Sequence, residues 1–560
     1  MLKRNIGIIL VLLITLVVYF PVFFCHFVGD DYGALCKLVT SKSLTQVFEP
    51  YWGRAYLRPL SWAPFLLGYA LAGLPMPPDP AWQAGSFLPA YHFLSIAFHL
   101  ATVFLVYLVA LFVLRSRIYG ALAAFIFAIH PANSEVICWV STFADTAFSF
   151  FSLLSLILFA KFYLKDNKRY ALLYYSGSLL SFILALCAKE IAFCLPLLII
   201  LALLFLRHRG WLPKENQKRF SWAAYFLIDI LYLALRKLFM SSYVFSPMGR
   251  RNLILEAPEQ LYKIAYYLRD LIFLVDSELL KRFVYQHSLL FPAIVLAVSI
   301  FSLSVCVIVA RRRKNPALVF LLGWIIITLL IPFLGAYSPA RRHLYLSLAG
   351  YSIFLVSAVS LLKKKYISVS LLLCLAALQI WTSLGRNNLY LFAGQVVQNG
   401  LCELKKELPK VEPESIIYLV GLPGMAKSTP AFWAVATAKV KFIYKDKNQP
   451  VVCLSVIAFT EKGIQDTDLC FLDDFTLVQS METGPEEFIR LPVGEYRQKD
   501  GKWITFLNSN TRFKVLERDE FGNVKKVMFR LNPSFLKGKK IYFVGVKDGK
   551  ISILRSMRIS

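Results

Sequence analysis

The chain has 560 residues, of which 58% are hydrophobic and only 17% are charged, and its mean hydropathy is +0.58. So many apolar residues cannot all be buried in the core of one water-soluble domain, so the composition predicts a polytopic α-helical membrane protein. The formal net charge is +28. Because the Lys and Arg residues stand in short clusters between apolar runs, the pattern that orients helices in a membrane, we expect no nucleic-acid partner.

The sequence predicts about eleven membrane crossings, of which the third and sixth are short for a hydrocarbon core of about 30 Å and are either tilted or incomplete. Lys3 and Arg4 precede the first run, which places the N-terminus in the cytoplasm. Alternation then places the later basic clusters in the cytoplasm and the C-terminal segment outside. The predicted crossings are 6–27, 88–114, 118–132, 146–164, 170–188, 191–206, 220–239, 288–310, 317–335, 343–362 and 366–384.

Two long loops are predicted on the outer side, residues 28–87 and 240–287. In the second loop, apolar residues recur at helical spacing from Leu261 to Val275. This pattern predicts an amphipathic helix that lies on the outer membrane surface, with its tyrosines in the headgroup region and its charged residues off the apolar face.

The transmembrane domain is predicted to cover residues 1–385, followed by a linker at 386–399 and a β-rich soluble domain outside the membrane at 400–560. Short β-rich runs broken by Gly, Asn, Pro and Asp indicate the strands of that domain. Gly421–Ser428 resembles a phosphate-binding loop, but Ala426 stands where the last required Gly would be, so we expect no ATP site. The ten cysteines include no CxxC pair, and we predict no zinc site.

The sequence Phe27-Val28-Gly29-Asp30-Asp31-Tyr32 follows the first apolar run. Two adjacent carboxylates at the end of a membrane helix are costly to desolvate, so we expect them to face water, a metal or a reacting group. An active-site loop and an ordinary polar helix stop are both consistent with this hexapeptide alone.

Nearly all of the remaining unusual polar residues are predicted on the outer side of the membrane. Chance placement would scatter such residues over both sides. A carboxylate there could take the proton of an acceptor hydroxyl, while arginines hold the phosphate of a lipid-linked donor. These residues are His92 and His99, seven residues apart on one helix face, then His130, Glu135, Asp145, Lys189, Glu190, Arg341, Arg342, His343 and Tyr345.

In their order, these motifs resemble those of the GT-C glycosyltransferases, over roughly residues 1–385. They are most similar to the protein O-mannosyltransferase-like branch, which includes the transmembrane and tetratricopeptide-repeat mannosyltransferases. The motifs are Gly29-Asp30-Asp31, Tyr56-Leu57-Arg58-Pro59-Leu60, His92 with His99, Phe127 to Glu135 with Trp139 and Asp145, Lys189-Glu190, and Arg342-His343-Leu344-Tyr345.

The resemblance implies an inverting hexosyl- or mannosyltransferase that uses a polyprenyl-phosphate-linked sugar donor and a protein, glycan or lipid acceptor. Asp30 or Asp31 would be the general base or the carboxylate that orients the acceptor. Asp145, with Glu135, would be the second acidic group of the catalytic site and would bind acceptor, sugar or a divalent ion. It implies no required cofactor and leaves a divalent cation open, with Asp31 and Asp145 as its ligands. The donor-binding residues would be Arg58, His92, His130, Glu135, Lys189, Glu190, Arg342 and Tyr345.

Two departures from that branch concern the donor end and the acceptor. Arg341 stands where the branch has Glu, and the β-rich domain replaces the tetratricopeptide repeats. The absence of an endoplasmic-reticulum retrieval signal and of the repeats favours a bacterial inner membrane.

Several alternatives stay open from the sequence. His130 could simply terminate a helix, and Glu135 and Lys189 could be structural partners of each other. A lipid or polysaccharide transporter without catalysis would instead place ionisable residues near the bilayer midplane, where Asp229 is nearly the only candidate. A membrane-anchored binding protein would not need the outer polar residues at all.

Overall fold

A computed structural model provides the coordinates. It describes residues 2–41, 57–165, 167–211, 220–239, 257–272, 315–334, 340–362 and 364–412 and, in the C-terminal region, 415–420, 422–426, 429–430, 436–445, 451–453, 456–459, 468–480, 503–505, 511–518, 524–548 and 550–559.

The chain forms two compact units. The first comprises Met1–Phe23, Phe48–Leu67 and Tyr91–Asn387, and the second comprises Phe24–Val47, Gly68–Ala90 and Asn388–Ser560. Each unit is therefore assembled from segments that are distant in sequence. The second unit includes the Asp30–Asp31 hexapeptide together with the C-terminal region.

The N-terminal four hundred residues are helical wherever the structure describes them, apart from turns and connections. The α-helices are α1 (Leu2–Tyr19), α2 (Asp31–Thr40), α3 (Ala63–Ala72), α4 (Pro80–Ala84), α5 (Leu88–Leu114), α6 (Arg117–Ala128), α7 (Asn133–Cys138), α8 (Phe143–Leu164), α9 (Lys168–Ala188), α10 (Leu195–His208), α11 (Ala223–Phe239), α12 (Ala257–Ile272), α13 (Pro316–Leu334), α14 (Tyr345–Val359) and α15 (Lys365–Glu407). Short 3-10 helices lie at Phe20–Phe24, Pro59–Trp62, Val140–Thr142, Glu190–Cys194 and Arg341–Leu344.

Seven helices within the described residues are long and apolar enough to cross a membrane. They coincide with predicted crossings, and the shorter helices α6, α11 and α14 coincide with three more. The prediction of a polytopic helical membrane protein is confirmed. The predicted crossing 288–310 lies outside the described residues, so the total of eleven stays a prediction. The stretch 386–399, predicted as a linker, lies inside the continuous helix α15.

Helices α8 and α9 form an antiparallel hairpin, so the start of α8 lies beside the end of α9. The hydroxyls of Ser155 and Ser178 each donate to the backbone carbonyl of the other residue, at 2.8 and 2.6 Å, which fixes the two helices against each other. A similar contact joins α13 to α14, where the indole of Trp324 donates to the carbonyl of Leu346 at 3.1 Å.

Helix α12 is present as the sequence predicts, but its surroundings differ from the prediction. Lys263 and Asp270, expected on a water-facing side, are buried, as are Tyr267 and Leu271. The helix contacts the 3-10 helix Arg341–Leu344 and α13, and Asp270 pairs with Arg341 of that 3-10 helix. Its predicted place on the outer membrane surface stays a prediction.

The C-terminal region is rich in strands, as predicted. Its elements are β1 (Ile416–Leu419), β2 (Leu422–Ala426), β3 (Thr429–Pro430), α16 (Ala436–Tyr444), β4 (Val451–Cys453), β5 (Val456–Phe459), β6 (Asp468–Phe471), β7 (Thr476–Ser480), β8 (Ile504–Thr505), β9 (Thr511–Arg518), β10 (Val524–Leu531), α17 (Pro533–Leu536), β11 (Lys540–Lys547) and β12 (Lys550–Arg558).

These strands form three sheets. Their orders are β12-β11-β1-β4, β6-β7-β10-β9-β8 and β3-β2-β5, and β1 runs parallel to both of its neighbours. Apolar side chains of the first two sheets share one core, to which Ile416, Phe513, Phe529 and Phe543 belong. The central part of the Gly421–Ser428 sequence is strand β2, hydrogen-bonded to β5 and β3, rather than a loop that could wrap a phosphate.

Candidate active site

Among the described residues of the first unit, three ion pairs are formed entirely by residues that the sequence singled out. In the first pair, the Nζ atom of Lys189 donates to Oδ1 of Asp145 at 2.6 Å. Asp145 lies in the first turn of α8, and Lys189 directly follows α9. The α8–α9 hairpin therefore brings the two residues together, and both are buried.

The second pair joins Arg58 to Glu190 with two parallel hydrogen bonds. Arg58 Nε donates to Oε2 at 2.7 Å, and its Nη2 donates to Oε1. This two-pronged geometry fixes the guanidinium plane as well as its position. Arg58 directly precedes the 3-10 helix Pro59–Trp62, and Glu190 opens the one that precedes α10.

The third pair joins Arg342 to Glu135 on α7. Arg342 Nη1 donates to Glu135 Oε1 at 2.6 Å, and the guanidinium lies 5.3 Å from the centre of the Trp139 ring. The backbone N–H of Arg341 donates to the second oxygen of Glu135 at 3.2 Å. One carboxylate thus fixes the short helix Arg341–Leu344 against α7. The alternative pairing of Glu135 with Lys189 is wrong, since each has a different partner.

Helix α12 adds a fourth carboxylate. Asp270 accepts from Arg269 Nη2 at 3.0 Å and, with its other oxygen, from Arg341 Nε at 3.3 Å. Arg341, the position that departs from the mannosyltransferase-like pattern, therefore has an acidic partner from a different helix. On the same helix, the hydroxyl of Tyr267 lies 3.0 Å from Nδ1 of His343.

The three ion pairs lie close enough to act on one another. Burial lowers the pKa of Lys189 to about 8; the charge of Asp145 opposes this shift, while Arg58 and Arg342 add to it. Lys189, Arg58 and Arg342 also all act electrostatically on His343. We call the set formed by the three ion pairs and Asp270 with its two arginines the ionic cluster.

The histidines that were predicted as site residues, and Tyr345, are buried in the helical part of the chain. The Nε2–H of His99 donates to the carbonyl of Ala128 at 3.0 Å, so its Nδ1 accepts from the hydroxyl of Tyr345, 2.6 Å away. His130 accepts the N–H of Ala132 on Nδ1, which closes the turn before α7. His92 is buried in α5. His99 thus joins α5 to α14, and His130 stabilises the turn before α7.

Asp30 and Asp31 lie in the second unit, at the start of α2. Asp30 is exposed, whereas Asp31 is buried and accepts the N–H of Val28 at 3.1 Å. Gly29 has a φ of +48°, in the left-handed region that favours glycine. We call Val28–Asp31 the acidic turn. That it meets Asp145 in one pocket stays a prediction.

Sequence reasoning missed Asp270, which belongs to the ionic cluster, and Arg236, which lies near it. The sequence places Asp270 on the polar face of an amphipathic helix. A charged residue there can face protein as well as water, so this position is the only sequence signal for its role. Arg236 on α11 is buried and acts on Tyr232, as do Arg58 and Glu190. The hydroxyl of Tyr232 in turn donates to the carbonyl of Leu57 at 3.3 Å. The only sequence signal for Arg236 is that it is a basic residue near the end of an apolar helix.

The described part of the chain contains no group of three or more His, Cys, Asp or Glu residues arranged to hold a metal ion. The predicted acids Asp145, Glu190 and Glu135 are instead each bonded to a cation. A divalent cation between Asp31 and Asp145 stays a prediction.

The fold and the ionic cluster define an integral membrane protein with a β-rich C-terminal region and a buried, ion-paired group of residues among apolar helices. No protein-family model and no curated protein matches the sequence.

Two solved structures illustrate what the fold is similar to. The first is ArnT from Cupriavidus metallidurans bound to undecaprenyl phosphate, with a TM-score of 0.47 and 13% identity over 80% of this chain and 86% of that one. The second is the oligosaccharyltransferase AglB from Archaeoglobus fulgidus in complex with an inhibitory peptide and a dolichol-phosphate, with a TM-score of 0.41 and 12% identity. That match covers 80% of this chain and 64% of AglB.

Proposed function

We propose that the chain is a membrane glycosyltransferase of the GT-C type. It moves a sugar from a polyprenyl-phosphate-linked donor to a hydroxyl acceptor at the outer face of the membrane, with inversion at the sugar carbon. Following the sequence resemblance, we propose a hexose such as mannose as the sugar, a protein, glycan or lipid as the acceptor, and a bacterial inner membrane as the location.

The observation that carries the proposal is the group of cations brought together in the ionic cluster. Its ion pairs, counted over the described residues, contain four carboxylates and five cations, and the buried Arg236 lies beside them. Arginine side chains that are partly open to solvent within an apolar protein can bind an anion. The phosphate of a lipid-linked donor is such an anion, since its lipid tail keeps it at the membrane. The cations are Arg58, Lys189, Arg269, Arg341 and Arg342, and the carboxylates are Glu135, Asp145, Glu190 and Asp270.

Side-chain exposure separates the roles of these cations. The side chains of Arg342 and Arg58 are 29% and 20% exposed, whereas that of Lys189 is only 3% exposed. We therefore assign phosphate binding to Arg58 and Arg342, and to Lys189 the role of holding Asp145 in place.

In the proposed reaction, Asp30 or Asp31 takes the proton from the acceptor hydroxyl as its oxygen attacks the anomeric carbon of the sugar. The bond from that carbon to the phosphate oxygen breaks, and its electron pair leaves with the polyprenyl phosphate. Arg58 and Arg342 stabilise the negative charge that grows on the phosphate. Asp145 acts through its place in the ionic cluster, since its side chain is only 2% exposed.

The experiment uses the full chain in lipid nanodiscs with synthetic polyprenyl-phosphate hexoses, and measures the release of polyprenyl phosphate. Arg58→Gln and Arg342→Gln should each lower kcat/KM for the donor by about 100-fold or more, the usual effect of removing one charge-stabilising donor. Arg169→Gln is the matched control, because Arg169 is an exposed arginine at the start of α9, on the opposite predicted side. It should keep wild-type turnover.

Two results would overturn the proposal. Equal losses in all three variants would mean that the cluster arginines have no special role. Passage of intact donor across the bilayer without release of polyprenyl phosphate would support the transporter alternative instead.

A further inference from the structure

A lysine of the C-terminal region lies against the acidic turn. Lys439 on α16 is completely buried. Its Nζ atom donates to the carbonyl of Gly29 at 3.3 Å and lies 5.1 Å from the centre of the Tyr32 ring. All of these residues belong to the second unit.

Aromatic packing connects the same two segments. The ring of Phe442, also on α16, meets Tyr32 edge-on, with 5.7 Å between ring centres, and lies 6.0 Å from Trp82 on α4. Phe27, directly before the acidic turn, also meets Tyr32 edge-on, with 6.2 Å between ring centres. Helix α16 is therefore packed onto the acidic turn.

Burying an ammonium group costs desolvation free energy, so a buried lysine needs favourable contacts that offset this cost. Here Nζ binds the carbonyl of the one residue in the turn with a positive φ, and Asp30 and Asp31 follow that residue directly. The contact fixes the backbone from which both carboxylates project. A base in a transferase needs such a fixed position.

We propose that Lys439 is a positioning residue for the acidic turn, so that the C-terminal region completes the catalytic machinery. The inference rests on the proposed function in naming the acidic turn as the source of the base. It assigns to the C-terminal region a role in the chemical step, in addition to any role in acceptor choice.

The test compares three variants of the full chain in nanodiscs. Lys439→Met removes the charge and keeps the apolar stem, and Lys439→Arg keeps a charge that can reach the same carbonyl. Lys441→Met is the matched control, since Lys441 is a half-buried lysine on the same helix. Transfer kinetics and amide hydrogen exchange of residues 28–36 are measured for each variant.

Lys439→Met should lower kcat at least about tenfold, the lower range for a mispositioned general base, with donor KM within twofold of wild type. It should also speed exchange of residues 28–36. Lys439→Arg should recover most of the rate, and Lys441→Met should match wild type in both measurements.

The inference is overturned if Lys439→Met keeps wild-type kcat, if it raises donor KM instead, or if Lys441→Met loses as much activity. A wild-type chain that transfers no sugar would overturn the proposed function. In that case, unchanged exchange of residues 28–36 in Lys439→Met would separately refute the hold of Lys439 on the turn, and faster exchange would support it.

Discussion

At the scale of single residues, the protonation of Lys189 links the ionic cluster to pH. Because burial lowers its pKa to about 8, Lys189 carries its charge below that pH and loses it above, and the ion pair with Asp145 is lost with the charge. We expect the transfer rate of the wild type to fall as the pH rises through about 8. Lys189→Arg, which stays charged, should move this fall to higher pH in a profile of kcat/KM.

The control for that profile is Lys168→Arg, which changes an exposed lysine at the start of α9. Its profile should overlay the wild-type profile. A fall near pH 8 that persists unchanged in Lys189→Arg would show that another group sets the limit.

The pair Arg58–Glu190 allows structural and functional roles to be separated. Glu190→Leu leaves the guanidinium of Arg58 without its buried carboxylate, which should cost about 3–5 kcal/mol of stability. Adding Arg58→Met should restore most of the thermal stability in detergent, because two apolar side chains replace the pair. Sugar transfer should stay lost in the double variant, since Arg58 is proposed to bind the phosphate. Restored sugar transfer in the double variant would mean that the Arg58–Glu190 pair has only a structural role.

The sequence identified most residues of the ionic cluster but not their partners. The types of residue and their predicted side of the membrane followed from charges at the ends of apolar runs. Which acid meets which base depends on helix rotation and on side-chain rotamers, which spacing alone does not determine. Thus Glu135 could be paired with Lys189 from the sequence, whereas it binds Arg342 and Lys189 binds Asp145.

At the scale of elements, helix α12 shows where a sequence pattern is incomplete. Its apolar spacing predicted the helix, but the pattern does not say which side another part of the protein will cover. The helix buries Lys263 and Asp270, so its polar side is an interface with protein. The long apolar helices were easier to predict, because length and composition suffice for them.

The ion pairs of Asp270 should hold α12 in place. Asp270→Asn removes the charge that Arg269 and Arg341 share, and we expect faster amide exchange over residues 257–272. Asp474→Asn is a suitable control, because Asp474 pairs with Arg555 on an exposed surface, where ion pairs contribute little. Its exchange pattern should match the wild type. Unchanged exchange over residues 257–272 in Asp270→Asn would contradict the assigned role.

At the scale of the whole molecule, the predicted topology is open to direct test. An introduced thiol at Ala84 should react with a reagent that cannot cross the membrane, and one at Lys168 should not, since both positions are exposed but on opposite predicted sides. The reverse pattern would overturn the orientation. The background for this test replaces Cys306, Cys374, Cys453 and Cys470 with Ser.

The division of the chain into two units was the feature least accessible from sequence. Composition changes near residue 400, and this predicted a separate C-terminal domain. The second unit instead combines that region with residues 24–47 and 68–90, because Phe442 and Lys439 pack against the segment around the acidic turn. Contacts between segments four hundred residues apart leave no periodic signal in the sequence.

The central claim is that this chain breaks the bond between a sugar and a polyprenyl phosphate, with a base from the acidic turn. The most direct test measures polyprenyl phosphate released by the purified wild type, Asp30→Asn and Asp31→Asn in nanodiscs. We predict release by the wild type and its loss in one of the two variants, while all three bind the donor equally. Equal release by all three, or donor binding by the wild type without any release, would contradict the account.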